Sequence, residues 1–190
     1  MSRGVAIFAL VFWLCLFASP SVAQETGKKA EAVKRAPNPS QVVLEQWNEI
    51  GRKLVAMAED LPENKYDYKP HPDSRSFVAQ LLHVAASMYY FTDVAQGRKA
   101  RYGDDPSRDQ LKTKAQIAAF VKKSVEDGAN LIKAKGDAGM AAVVQDPESN
   151  QQRRLSELAY EVIEHSGEHY GQLVVYYRIN GMVPPESRPR

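Results

Sequence analysis

Two histidines four residues apart, His165 and His169, are the side chains of this sequence best suited to metal chemistry. Residues i and i+4 of an α-helix lie on one face about a turn apart, so both imidazoles could bind the same ion. They continue a stripe of apolar residues, which consists of Leu155, Leu158, Val162 and Leu173. The spacing therefore predicts two imidazoles that face the interior of a helical domain.

Inward-facing histidines can also be ordinary core residues whose ring nitrogens bond to tyrosines or to the backbone. Each imidazole has two ring nitrogens to satisfy, and an unpaired buried polar group costs roughly 1–3 kcal/mol. One shared metal ion would satisfy His165 and His169 together. We therefore favour a metal site, with a hydrogen-bonded core pair as the alternative.

A third ligand must come from elsewhere in the chain. Of the four histidines, His71 lies between two prolines in a loop, whereas His83 lies in a segment predicted to be a buried helix. We predict His83 as the third ligand. Three imidazoles without a thiolate leave an open coordination position, as in catalytic zinc sites. Three imidazoles suit zinc, nickel, copper, iron and manganese, so the residues alone leave the metal open, and no general acid or base can be assigned.

Two further features of the fourth helix have an ordinary explanation beside a functional one. Glu161, one turn before His165, could orient that ring or could be a solvent-exposed carboxylate. The string from His165 to His169 also matches His-x-x-Glu-His, the inverted zinc-protease motif. We interpret that match as chance, because it fixes only three residues and such helices belong to larger mixed α/β domains.

Apolar periodicity predicts four helices to position these residues. The first starts near Ser40 and ends at Pro62, and the second spans about Ser76 to Val94. The third is marked by Ile117, Phe120 or Val121, Ser124, Gly128 and Leu131, and the fourth runs from about Arg153 to Asn180. Gly136 to Gln152 is the longest connector, and no segment is a convincing strand. The predicted fold is all-α, a four-helix bundle with a long connection.

The N-terminal residues have the features of a secretory signal peptide over residues 1–23. An early arginine precedes an apolar run over Val5–Ala18, and small residues follow at Ser21 and Ala23. An uncleaved anchor is the alternative, but it would need about 20 apolar residues. We expect an exported protein, periplasmic or secreted, without a stable membrane span after cleavage.

Composition sets further bounds on the mature chain. Cys15 is the only cysteine and lies in the leader, so the exported domain would have neither a disulfide nor a thiolate ligand. Lys plus Arg numbers 25 against 23 for Asp plus Glu, which gives no reason to expect a nucleic acid partner. We expect a flexible linker over residues 24–39, the bundle over 40–186 and a disordered tail over 187–190.

Several segments resemble the DinB-like family. In the N-terminal half these are LPENKYDYKP at Leu61–Pro70, Arg75–Phe77 and Leu81–His83. In the C-terminal half they are HSGEHYGQL at His165–Leu173, then Tyr177–Arg178 and NGMVPP at Asn180–Pro185. The similarity extends over about residues 40–186.

The resemblance implies a four-helix bundle, often a homodimer, in which a histidine triad from the second and fourth helices binds zinc, nickel or a similar ion. His83, His165 and His169 match that triad. Relatives include metal-dependent thiol transferases, a thiol-dependent isomerase and proteins labelled as hydrolases. The expected function is therefore a metal-dependent hydrolase or transferase for an unknown small molecule. The alternative is a non-catalytic metal-binding module or a dimeric scaffold.

Overall fold

A computed structural model describes residues 36–103 and 105–189 and confirms the all-α bundle. The helices are α1 (Pro39–Asp60), α2 (Phe77–Val94), α3 (Lys114–Ala141) and α4 (Leu155–Ile179). Within the described residues, no helix has both the length and the apolarity to cross a bilayer. The proposed signal peptide and most of the proposed linker lie outside the described residues.

The helix starts follow local sequence signals. Asn38, rather than the expected Ser40, is the N-cap of α1, because Pro39 takes the first helical position, where its fixed φ and missing N–H are tolerated. Helix α2 begins after Ser76, whose Oγ accepts a hydrogen bond from the Ala79 amide at 3.3 Å. This cap fixes the start of the helix that carries His83.

The connector predicted over Gly136–Gln152 is partly helical and contains two short strands. Helix α3 is kinked at Gly136, whose φ of 57° glycine adopts without a Cβ clash, and a further helical segment extends from there to Ala141. After the helix, β1 (Val143–Gln145) pairs antiparallel with β2 (Gln152–Arg154), so the expectation of no strand was wrong here. Strands of three residues are too short for alternation to reveal them.

Close packing of α1 against α3 forms much of the core. The indole of Trp47 is fully buried, and its Nε1 donates to the Val125 carbonyl at 2.9 Å. Gly128 lies directly under the indole, and a Cβ added there would lie 2.0 Å from Trp47 Cζ2. The missing side chain therefore allows the two helices to approach.

Residues 185–188 lie close to the end of α1. A 3₁₀ turn spans Pro185–Ser187, and the Arg188 guanidinium then binds both Asp60 carboxylate oxygens at 2.6–2.7 Å. This bidentate pair lowers the pKa of Asp60, chiefly through the Arg188 hydrogen bonds. The pair is solvent-exposed, so its contribution to stability is small.

We expect Gly128→Ala to destabilise the bundle by about 1–3 kcal/mol, because the new methyl group overlaps the Trp47 ring. Urea denaturation would give the free energy of unfolding. Gly171→Ala is the matched control, since an added Cβ at Gly171 meets no atom within 4 Å. That variant should be neutral or slightly stabilising, as Ala favours helix over Gly. Equal effects of the two substitutions would contradict the packing account.

Candidate metal centre

Three histidine rings from two helices converge at one point in the bundle. His83 projects from α2, and His165 and His169 project from α4. The ring centroids are 5.0 Å apart for 83–165, 4.8 Å for 83–169 and 4.4 Å for 165–169. One ring nitrogen from each lies within 4.8 Å of the others. His71 is exposed in the loop before α2 and is not part of this cluster.

The Nε2 atoms of His83 and His165 face each other at 3.0 Å. On the far side of the His83 ring, Nδ1 lies 2.9 and 3.0 Å from the two carboxylate oxygens of Asp105. A carboxylate accepts hydrogen bonds, so His83 carries its proton on Nδ1 and turns an Nε2 lone pair toward His165. Asp105 thus has the position of the carboxylate in carboxylate–histidine–metal arrangements.

A side-chain amide fixes the ring of His169, as the Asp105 carboxylate fixes the ring of His83. Its Nδ1 donates to Gln80 Oε1 at 2.6 Å. Gln80 is buried, and its Nε2 donates to Gln172 Oε1 at 2.6 Å and, more weakly, to the Tyr176 hydroxyl at 3.4 Å. Tyr176 in turn donates to the Arg75 carbonyl at 2.7 Å. This chain of bonds fixes the orientation of the Gln80 amide, which leaves the Nε2 of His169 free to bind an ion.

The environment keeps two of the rings neutral. Burial, together with the neighbouring His165 and His83 rings, lowers the pKa of His169 to about 4. Burial and then His83 lower the pKa of His165 as well. A metal binds the neutral imidazole, so lowered pKa values keep these ligands competent in mildly acidic solution.

The donor set fits a divalent transition metal. In a tetrahedral zinc site with Zn–N bonds of 2.0–2.1 Å, two ligand nitrogens lie about 3.3 Å apart. The 3.0 Å separation of the two Nε2 atoms is close to that value. The third nitrogen lies within 4.8 Å of the other two, so a small side-chain rotation would bring all three within reach of one ion. Imidazole suits zinc, nickel, copper and iron, so the donors do not select one metal.

Sequence reasoning did not find the two groups that orient the ligands. Asp105 lies in a loop with no periodicity, and Gln80 is a polar residue on a mostly apolar helix. The suggested partner of His165, Glu161, instead forms an ion pair with Arg153. The carboxylate of Glu168 lies 3.9 Å from His165 Nδ1, which is too far for a hydrogen bond.

The comparisons with known proteins agree with the helical bundle. The chain resembles a DinB-like protein from Bacillus cereus, with a TM-score of 0.64, 14% identity, and coverage of 76% of this chain and 95% of that one. A DinB-like protein from Bacillus subtilis gives a TM-score of 0.61 at 17% identity, over 78% and 99% of the two chains. These likenesses show the fold. A search of curated proteins finds no match.

The fold and the site therefore define a helical bundle with a histidine cluster able to hold a metal ion. The model of the DinB superfamily matches residues 46–173, which include the three histidines of the cluster. The chain belongs to that superfamily.

We expect the metal-free protein to lose stability as the pH falls from 7 to 5. His169 has a pKa of about 4 when folded and about 6.5 when unfolded, so the unfolded chain binds more protons between these values. Its stabilising contribution is fully present above about pH 6.5 and is lost as pH falls toward 4, and about 2 kcal/mol of it is already lost at pH 5. Chemical denaturation of chelator-treated protein would measure it. His169→Gln should flatten the slope, and an unchanged slope would contradict the assignment.

We expect Asp105→Ala to weaken metal affinity about 10–100-fold, because His83 loses the carboxylate that fixes its tautomer and orientation. Competition with a chromophoric chelator would measure the dissociation constant for zinc. Asp73→Ala is the matched control, since Asp73 also pairs with a histidine, the exposed His71 outside the cluster. Similar affinities of the two variants would show that Asp105 does not support the site.

Proposed function

We propose that this protein is an exported, metal-dependent enzyme that acts on a small molecule, with His83, His165 and His169 as the metal ligands. The supporting observation is the convergence of the three rings, with the Nε2 atoms of His83 and His165 3.0 Å apart. Because Asp105 holds the His83 proton on Nδ1, a neutral His165 can donate its Nε2–H to His83 Nε2, and a bound metal ion would replace that proton. Asp105 and Gln80 hold the Nδ1 protons of His83 and His169, so the Nε2 atoms of these two rings are available to bind a metal ion.

The protein's own residues would then have distinct tasks. Three neutral nitrogens hold the ion and leave a coordination position open, as catalytic rather than structural zinc sites do. When bound, the ion supplies Lewis-acid chemistry, which polarises a carbonyl, a thiol or water. Asp105 stabilises the positive charge that develops on His83, and Gln80 holds His169 in place. The reaction class we propose is hydrolysis or group transfer, the two classes that the family resemblance implies.

Export and assembly are parts of this proposal that rest on other grounds. Export rests on the leader-like sequence of residues 1–23. Assembly as a homodimer rests on the family resemblance alone.

We expect His83→Ala, His165→Ala and His169→Ala each to lower bound metal to a small fraction of the wild-type level, since each removes one of three ligands. His71→Ala should retain full metal content, because that ring is exposed and lies outside the cluster. Elemental analysis of protein purified from its native compartment would measure the content. Metal binding that survives the triad substitutions would overturn the site.

A second measurement separates catalysis from a structural role. A panel of esters, amides and thiol conjugates would be tested for turnover with and without a chelator. Metal-dependent turnover supports the enzyme. If chelation lowers the melting temperature strongly and no substrate turns over, the ion instead connects α2 to α4 in a non-catalytic module.

A further inference from the structure

A cavity of about 300 Å³ lies between α2 and α4, directly beside the histidine cluster. Leu158 and Val162 form an apolar wall, and both are buried. The polar residues of the lining are Ser87, Tyr90, Glu161, Glu164 and His165. Because His165 belongs to both the cavity and the triad, a molecule bound here would lie next to the metal. Its volume is at the low end of the range for small-molecule sites.

The two hydroxyl groups in the lining both donate hydrogen bonds to other groups of the protein. Ser87 Oγ donates to the His83 carbonyl at 3.1 Å, and the Tyr90 hydroxyl donates to the buried carboxylate of Asp146. Burial, and then the bond to Asp146, raise the pKa of Tyr90, so the phenol stays protonated. Both oxygens can therefore act toward a ligand only as hydrogen-bond acceptors.

The two carboxylates of the lining differ in charge balance. Glu161 is neutralised by the Arg153 guanidinium. Glu164 is exposed, and it forms no ion pair within the part of the chain that the structure describes. The cavity thus combines one unbalanced negative charge with acceptor oxygens and an apolar wall. Such a lining complements a group that is positively charged and carries several donors.

We propose that this cavity binds the primary ammonium group of a small amine substrate, with Glu164 as its counter-ion and Ser87 and Tyr90 as acceptors. The short hydrocarbon part of the amine packs on Leu158 and Val162. The term substrate rests on the proposed function, whereas the recognition of an ammonium group does not. An anionic ligand is disfavoured here, because the lining residues include no Lys or Arg. The Arg75 guanidinium lies outside the lining, 3.6 Å from the Asp105 carboxylate.

The test uses n-butylamine, butyrate and n-butanol, three probes of equal length and different charge. Their dissociation constants would be measured by NMR titration of the full chain, zinc-loaded and metal-free. We expect n-butylamine to bind the metal-free form at least tenfold more tightly than butyrate or butanol. In the zinc-loaded form the charge of the ion opposes an ammonium group, so the selectivity is judged on the metal-free protein. Glu164→Gln should weaken amine binding by at least tenfold and leave zinc content unchanged. The side chain is exposed, so this variant should fold normally.

Glu168→Gln is the matched control, because it makes the same charge change one turn along α4 and lies outside the cavity. It should leave amine binding within about twofold of wild type. Equal effects of the two variants, tighter binding of butyrate, or amine binding that needs zinc and ignores Glu164 would each overturn the proposal. If zinc binds and amine selectivity is absent, only this inference fails. If zinc does not bind and the selectivity persists, the proposed metal function fails instead.

Discussion

Two imidazole nitrogens that face each other at 3.0 Å are the constraint around which this molecule is organised. They come from residues 82 positions apart, on α2 and α4, so folding alone brings them together. Without an ion the two nitrogens can share one proton in an N–H···N hydrogen bond, and a metal ion would replace that proton. The bundle thus holds the donors in place before an ion arrives, which lowers the entropic cost of assembling a coordination sphere.

The support for that arrangement extends beyond the two helices. Asp105 reaches His83 from the loop after α2, and this loop is tied back to the end of the helix. Asp93 is 2% exposed and accepts from the Arg101 backbone N at 3.0 Å, Nε at 2.9 Å and Nη2 at 2.7 Å. Because a buried carboxylate needs such a partner, the pair fixes the course of the loop toward the site.

Much of the fold was predictable, because apolar residues recur at helical spacing along the amphipathic helices. The same stripe that defined α4 also revealed His165 and His169. His83 was harder to place, since α2 is apolar nearly all round and its stripe does not identify one inward face. Asp105 and Gln80 could not have been predicted, because their roles depend on tertiary neighbours. A loop carboxylate has no periodicity, and the orientation of a glutamine amide depends on partners such as Tyr176.

The relation between ligands and cavity follows from helix geometry. Helices α2 and α4 run in opposite directions, so Ser87, four residues after His83, meets Glu161, four residues before His165. The cavity is therefore the next turn of the same two faces that carry the metal ligands. A substitution at these positions changes the shape and charge of the cavity and leaves the three imidazoles in place. In the function that we propose, this separation would let a single triad serve different small molecules, and the charge balance of the cavity, with Glu164 unpaired among the described residues, would determine specificity.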